Sequence, residues 1–167
     1  MRSKQFMFIL FTVIFMISCS KDPGRIEVKW QLIENQHRGK NQHKGEVTIT
    51  NHSRHTLTND NWIYYFSWFR TVLDGQESEI IDGETINGDY SKLYPTEKFP
   101  DLEPGESIRF PLIGSHYALH RTDAPTGGYF TVKKRFGPDV IIPSGDAEVL
   151  PFRKERPTGA LNTTIFR

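Results

Sequence analysis

One cysteine, Cys19, stands in a chain of 167 residues. A disulfide within the chain is therefore excluded, and any folded domain must be held by its own apolar core. Charge of one sign is equally scarce: 21 basic residues face 20 acidic ones, a formal net charge of +1. No basic stripe recommends a nucleic-acid partner, since phosphate-backbone binding needs a strongly positive surface. Apolar residues at helical spacing are missing beyond the first 18 positions, so no amphipathic helix is expected there. The apolar stretch at 6–17 is too short to span a bilayer as a mature helix. Nucleophile elbow, phosphate-binding glycine loop and zinc-protease helix are all lacking. His52 with His55, and His116 with His120, have spacings that metal sites sometimes use. The first pair lies in the turn-rich segment NHSRH and the second has no third ligand nearby, so no metal and no cofactor is expected.

What the amino terminus does contain is an export signal: Arg2 and Lys4, then the apolar stretch, then small Ser18 before Cys19. Met16-Ile17-Ser18-Cys19 resembles the lipobox of bacterial lipoproteins, with Met where Leu is usual. That resemblance implies cleavage before Cys19 and acylation of its thiol and amine. Ser20-Lys21-Asp22 resembles the surface-export signal of Bacteroidetes lipoproteins. The expectation is a signal peptide at 1–18, a lipidated linker at 19–24, and an outer-membrane lipoprotein on the periplasmic face or the cell surface. One acyl chain anchors only marginally, at about 0.8 kcal/mol per buried methylene, whereas several on one cysteine hold firmly. Without Arg2 and Lys4, 19 basic residues face 20 acidic ones, a balance near −1. About 149 residues remain, enough for one domain without staples.

Across that remainder the period is two. Ile26, Val28, Trp30 and Leu32 alternate with Glu27, Lys29 and Gln31, and Val47 and Ile49 alternate with Glu46, Thr48 and Thr50. Half-buried antiparallel strands read this way. The polar interval at 34–45, with HRGKNQHKG, is expected to be a solvated loop with its basic residues on the surface. Asp74-Gly75, Asp82-Gly83 and Asn87-Gly88 suit turns between strands. Pro104-Gly105 suits the centre of a type II turn and leads into Ile108, Phe110 and Leu112. Pro111 in that strand suggests an edge position. Gly127-Gly128 opens a further strand at 129–133. Seven or eight short strands predict an all-β, antiparallel β-sandwich of immunoglobulin-like type.

Six of the eight residues at 62–69 are aromatic, within the run NDNWIYYFSWFR. Alternation puts Trp62, Tyr64, Phe66 and Trp68 on one face and Ile63, Tyr65, Ser67 and Phe69 on the other. The first set is expected to fill the core. The second must meet a neighbouring domain, a loop, or a ligand that accepts flat rings, as sugars do.

Five blocks carry a resemblance: the early strand with Trp30, NDNWIYYFSWFR at 59–70, INGDYSKLYPT at 86–96, LEPGESIRF at 102–110 and TDAPTGGYF at 122–130. In order and spacing they resemble the amino-terminal domain of chitobiases and bacterial β-N-acetylhexosaminidases of glycoside hydrolase family 20. The resemblance implies a sandwich similar to cellulose-binding domains, with a carbohydrate ligand, and sets the domain at 25–136. It implies no catalysis: the family's chemistry belongs to a (β/α)₈ barrel of about 250 residues, longer than this chain, with an adjacent Asp-Glu pair. No Asp-Glu dipeptide occurs here. The carboxylates of Asp82, Glu84, Asp89, Asp101, Glu103 and Glu106 sit in turn-like contexts and are expected to be solvated.

Pro138, Pro143, Pro151 and Pro157 break up the segment at 137–167, which reads as a tail leading toward an absent next domain. Two functional classes remain. One is a surface-tethered module for an N-acetylglucosamine-containing glycan, with Tyr65, Trp68, Phe69, Tyr90 and Tyr94 as its rings. The other is an interaction domain whose aromatic face packs against a partner such as a hexosaminidase catalytic domain.

Overall fold

The computed structural model describes residues 23–73 and 77–152. The segment expected to be a signal peptide, Cys19, Asp74-Gly75 and residues 153–167 lie outside the described residues. Each period-two segment becomes a strand. β1 (Gly24–Asn35) turns Ile26, Val28, Trp30 and Leu32 inward, and β2 (Gln42–Ser53) turns Val47 and Ile49 to meet them. They pair antiparallel, Val28 opposite Ile49 and Trp30 opposite Val47. β3 (Trp62–Ser67), β4 (Ile81–Asn87), β5 (Tyr90–Pro95), β6 (Ser107–Ser115), β7 (Thr126–Val132), β8 (Val140–Gly145) and β9 (Glu148–Val149) follow.

The strands form two sheets, ordered β6-β2-β1-β9 and β4-β5-β3-β7-β8. The fold is therefore an all-β, two-sheet sandwich, and its pairs are antiparallel except for the short contact of β9 with β1. Helical structure among the described residues amounts to two 3₁₀ turns, His37–Gly39 and Arg121–Asp123. No helix among them is long and apolar enough to cross a membrane.

The inward set of the aromatic run fills the space between the sheets. Trp62, Tyr64, Phe66 and Trp68 are all buried. Tyr64 lies against Phe130 at 4.6 Å between ring centres and against Phe66 at 5.0 Å, and Trp62 meets Phe99 edge-on at 5.3 Å. Rings at these distances add to the roughly 1.5–3 kcal/mol that burial of each large side chain supplies.

Two turns form as the sequence implies. Gly88 joins β4 to β5 with φ 46°. Gly105 follows Pro104 with φ 94°, closed by the Glu106 N–H on the Glu103 carbonyl. β6, with Pro111, lies on a sheet edge.

Other expectations need correction. The loop expected at 34–45 is confined to residues 36–41, because β1 runs on to Asn35 and β2 begins at Gln42. His37 and His43 are buried rather than on the surface. His43 shares the inward parity of Gly45, Val47 and Ile49, which carries it into the core. Asp82-Gly83 makes no turn: Gly83 lies within β4, where a Cβ would fall 2.4 Å from Leu93 Cδ2. The domain does not end at 136 either, since β8 pairs with β7 and β9 with β1.

Candidate functional site

The outward residues of the five-stranded sheet line up in transverse rows. One row runs Glu84, Lys92, Tyr65, Tyr129 and Pro143, each directly opposite the next. A second contains Asp82 opposite Tyr94, and Ile63 opposite Thr131 and then Ile141. Because β3 alternates strictly, the inward parity that buries Tyr64 and Phe66 forces Tyr65 onto this outer face.

Tyr65 is the middle of a three-ring cluster. It is stacked with Tyr90 at 5.8 Å and with Tyr129 at 5.3 Å, and the hydroxyls of Tyr90 and Tyr129 share a 2.6 Å hydrogen bond. Burial, then the neighbouring Tyr129 hydroxyl, pushes the Tyr90 phenol up to about 12, so it stays a neutral donor and acceptor at physiological pH. Beside the cluster, the Lys92 ammonium lies 2.7 Å from Glu84 and 5.6 Å from the centre of the Tyr94 ring. Glu84 holds Lys92 in its charged form. Burial, then the nearby carboxylates of Asp82 and Glu84, raises the Tyr94 phenol.

Tyr94 also walls a shallow hollow of about 290 Å³, lined further by Asn59, Asp60, Trp62, Ile63, Lys92, Pro95 and Lys133. Tyr94, Ile63 and Pro95 give it an apolar side, and Asp60, Asn59 and the two lysines give it acceptors and donors. Apolar walls with a few fixed polar groups suit a small polar organic ligand such as a sugar.

Of the rings nominated from sequence, Tyr65, Tyr90 and Tyr94 share this face. Phe69 is 72% exposed, two residues beyond the end of β3, with the Arg70 guanidinium 5.3 Å from its ring centre. Trp68 is a correction. It is 1% exposed, and its indole N–H donates to the Asp123 carbonyl at 2.7 Å. Its parity is that of Phe66, so it belongs to the core and cannot offer a ring to a ligand.

Asp123, whose carbonyl receives the Trp68 indole, also carries a tightly bound carboxylate. Its carboxylate accepts the backbone N–H groups of Leu119 and His120 and pairs with Arg70 at 2.8 Å. Burial alone would raise its pKa, but those N–H groups and Arg70 outweigh burial and hold it below the ordinary carboxylate value.

Tyr129 was missed from sequence, as were Asn59, Asp60 and Lys133. Tyr129 was detectable, because Phe130 is the inward residue of β7 and its neighbour must face out. The hollow was not, since it joins residues on three separate segments. The paired histidines are scattered: His52 and His116 are exposed, and no group of three or more metal-binding side chains occurs among the described residues.

The described residues thus form a two-sheet sandwich with an aromatic, partly polar outer face. The model of the family described as "Putative carbohydrate binding domain" matches residues 25–160, and the chain belongs to that family. It is 33% identical over 86 residues, 52% of its length, to the N,N'-diacetylchitobiase of Vibrio harveyi, of which it spans only 10%. Two crystal structures of a family 20 exo-β-N-acetylglucosaminidase from Vibrio harveyi share its fold. One is an inactive variant and the other a complex with N-acetylglucosamine. Each aligns at a TM-score of 0.55 and 16% identity, over 81% of this chain and 19% of the enzyme. The chain is thus a carbohydrate-binding-type module resembling the amino-terminal region of β-N-acetylhexosaminidases, and the described residues contain no catalytic barrel.

Proposed function

We propose that this module holds an N-acetylglucosamine-containing glycan on the outer face of its five-stranded sheet and does no chemistry on it. The observation that carries this reading is the cluster of Tyr65, Tyr90 and Tyr129 beside Tyr94 and its hollow. Aromatic rings offer flat apolar contact to sugar faces, while phenols, Asp60 and the lysines can bond hydroxyls. Family membership supports the ligand class. Retention on insoluble chitin tests it: the protein is expected to co-sediment, and a Tyr65→Ala/Tyr94→Ala double variant to stay in the supernatant. Full recovery of the unaltered protein in the supernatant, for chitin and for other glycans alike, would contradict the reading. Purified protein is also expected to leave a chromogenic N-acetylglucosaminide intact.

Two further elements belong to the proposal. The sequence around Cys19 supports a lipid-anchored protein at the outer membrane, facing the periplasm or the cell surface. Cys19→Ala is expected to move it from the membrane pellet to the soluble fraction. A second hollow of about 220 Å³, walled by Trp30, Leu32, Leu119 and Phe152, lies at the carboxyl end of the described chain. It suits a packing contact with a hexosaminidase catalytic domain, as the resemblance to those enzymes implies.

A further inference from the structure

The hollow beside Tyr94 has the size of one sugar unit rather than of a chain. We infer that it is the primary subsite of the outer face, and that it takes the terminal pyranose of a neutral glycan end-on. The inference rests on the carbohydrate reading above and sharpens it.

Three observations converge. First, about 290 Å³ lies at the lower end of small-molecule sites, which run to roughly 1,000 Å³. Second, the walls are fixed before any ligand arrives. Asn61 accepts the Thr58 N–H and donates to the Thr56 carbonyl, each at 2.9 Å, while the Lys133 N–H donates to the Asn61 carbonyl at 2.7 Å. The Thr58 hydroxyl orients the Asp60 carboxylate at 2.7 Å, and the Asn59 amide reaches the Glu97 carbonyl at 3.4 Å. Ligand groups therefore meet a preorganised rim, which lowers the ordering cost of binding.

Third, charge in the hollow is balanced. Lys92 pairs with Glu84 at 2.7 Å, and the hollow's other two charged walls, Asp60 and Lys133, are of opposite sign. A cationic or anionic sugar would leave one of these groups opposed, whereas a neutral one uses them as donors and acceptors.

Calorimetry on the whole protein with N-acetylglucosamine oligomers tests the inference. Affinity is expected to change less than 3-fold from dimer to tetramer, and to fall at least 5-fold for the corresponding glucosamine dimer, whose amines are charged. Lys133→Ala and Tyr94→Ala are each expected to cost at least 10-fold. Lys133 is exposed, so its variant cannot be dismissed as unfolded. Arg109→Ala on the opposite sheet should leave binding unchanged. Affinity rising more than 10-fold from dimer to tetramer, with Lys133→Ala neutral, would overturn the subsite and leave the carbohydrate reading standing. No heat with any oligomer would overturn both.

Discussion

The two sheets share one core but present different outer faces. On the four-stranded sheet the outward positions carry Glu27, Lys29, Glu46, Thr48, Thr50 and Arg109. They pair among themselves and with neighbours: Lys29 with Glu148 at 3.0 Å, Arg109 with Glu46 at 3.5 Å, and the Thr50 and Ser107 hydroxyls at 2.9 Å. Exposed pairs of this kind contribute little to stability and serve mainly to keep a sheet solvated. The five-stranded sheet places Tyr65, Tyr90, Tyr94, Tyr129, Ile63 and Ile141 at equivalent outward positions. One sheet shows that the sandwich does not need rings on its outside. The rings of the other sheet are what the proposed ligand face rests on.

The largest effect should separate the faces of a single strand. Phe66→Ala opens a void among Tyr64 and Trp68 and is expected to cost about 3–5 kcal/mol in denaturant unfolding. Tyr65→Ala, the next residue along the chain, should cost about 1 kcal/mol while weakening glycan binding. Equal losses of stability at the two positions would erase the distinction between a structural and a functional face.

Next is the Asp123 knot, whose backbone carbonyl accepts the Trp68 indole N–H in the core. Asp123→Ala leaves two backbone N–H groups and Arg70 unpaired, and is expected to cost about 2 kcal/mol. The sign of its pH dependence follows from the depressed pKa. The stabilisation is present above the unfolded carboxylate value and is lost as pH falls through the lower folded value. Asp123→Asn should flatten that acid limb of an unfolding profile, and an unchanged limb would argue against the knot.

Glu77 offers a weaker, partly exposed counterpart, held by Lys44 at 2.9 Å, His37 at 2.8 Å and Arg38 at 2.6 Å. Burial raises its pKa, but the hydrogen bonds and charges of Lys44 and His37 prevail and bring it down to about 2. Its contribution, discounted for solvent screening to about 1 kcal/mol, should fade between the ordinary value near 4.5 and about 2. Glu77→Gln should remove that fading, as read by thermal melts across this range. Smallest of all, Arg109→Ala should shift stability by no more than about 0.5 kcal/mol.

These contrasts track what a linear reading can reach. Alternation identified the inward aromatic set and the paired strands of β1 and β2, because parity along one strand is a local property. It failed where the same parity was hidden by polar residues. His43 occupies the inward series of Gly45, Val47 and Ile49, yet its neighbours read as loop. Trp30 explains Gly45, because its indole fills the space a Cβ would need at 2.5 Å, and such a cross-strand fit leaves no trace in the order of residues. Gly83 misled for the same reason: an Asp-Gly pair mimics a turn, but close packing against Leu93 was the cause. Pro143 obscured β8, although proline is at home on a sheet edge. The hollow depends on three segments folding together, so only Tyr94 among its walls could be nominated beforehand.

Mapping amide shifts by NMR during titration with a short N-acetylglucosamine oligomer addresses the ligand face most directly. Perturbations are expected on β3, β5 and the end of β7, clustered around Ile63, Lys92, Tyr94 and Lys133. Shifts confined to the four-stranded sheet or to the hollow at Trp30 and Phe152, or no shifts at all, would contradict the assignment of the tyrosine face as the binding surface.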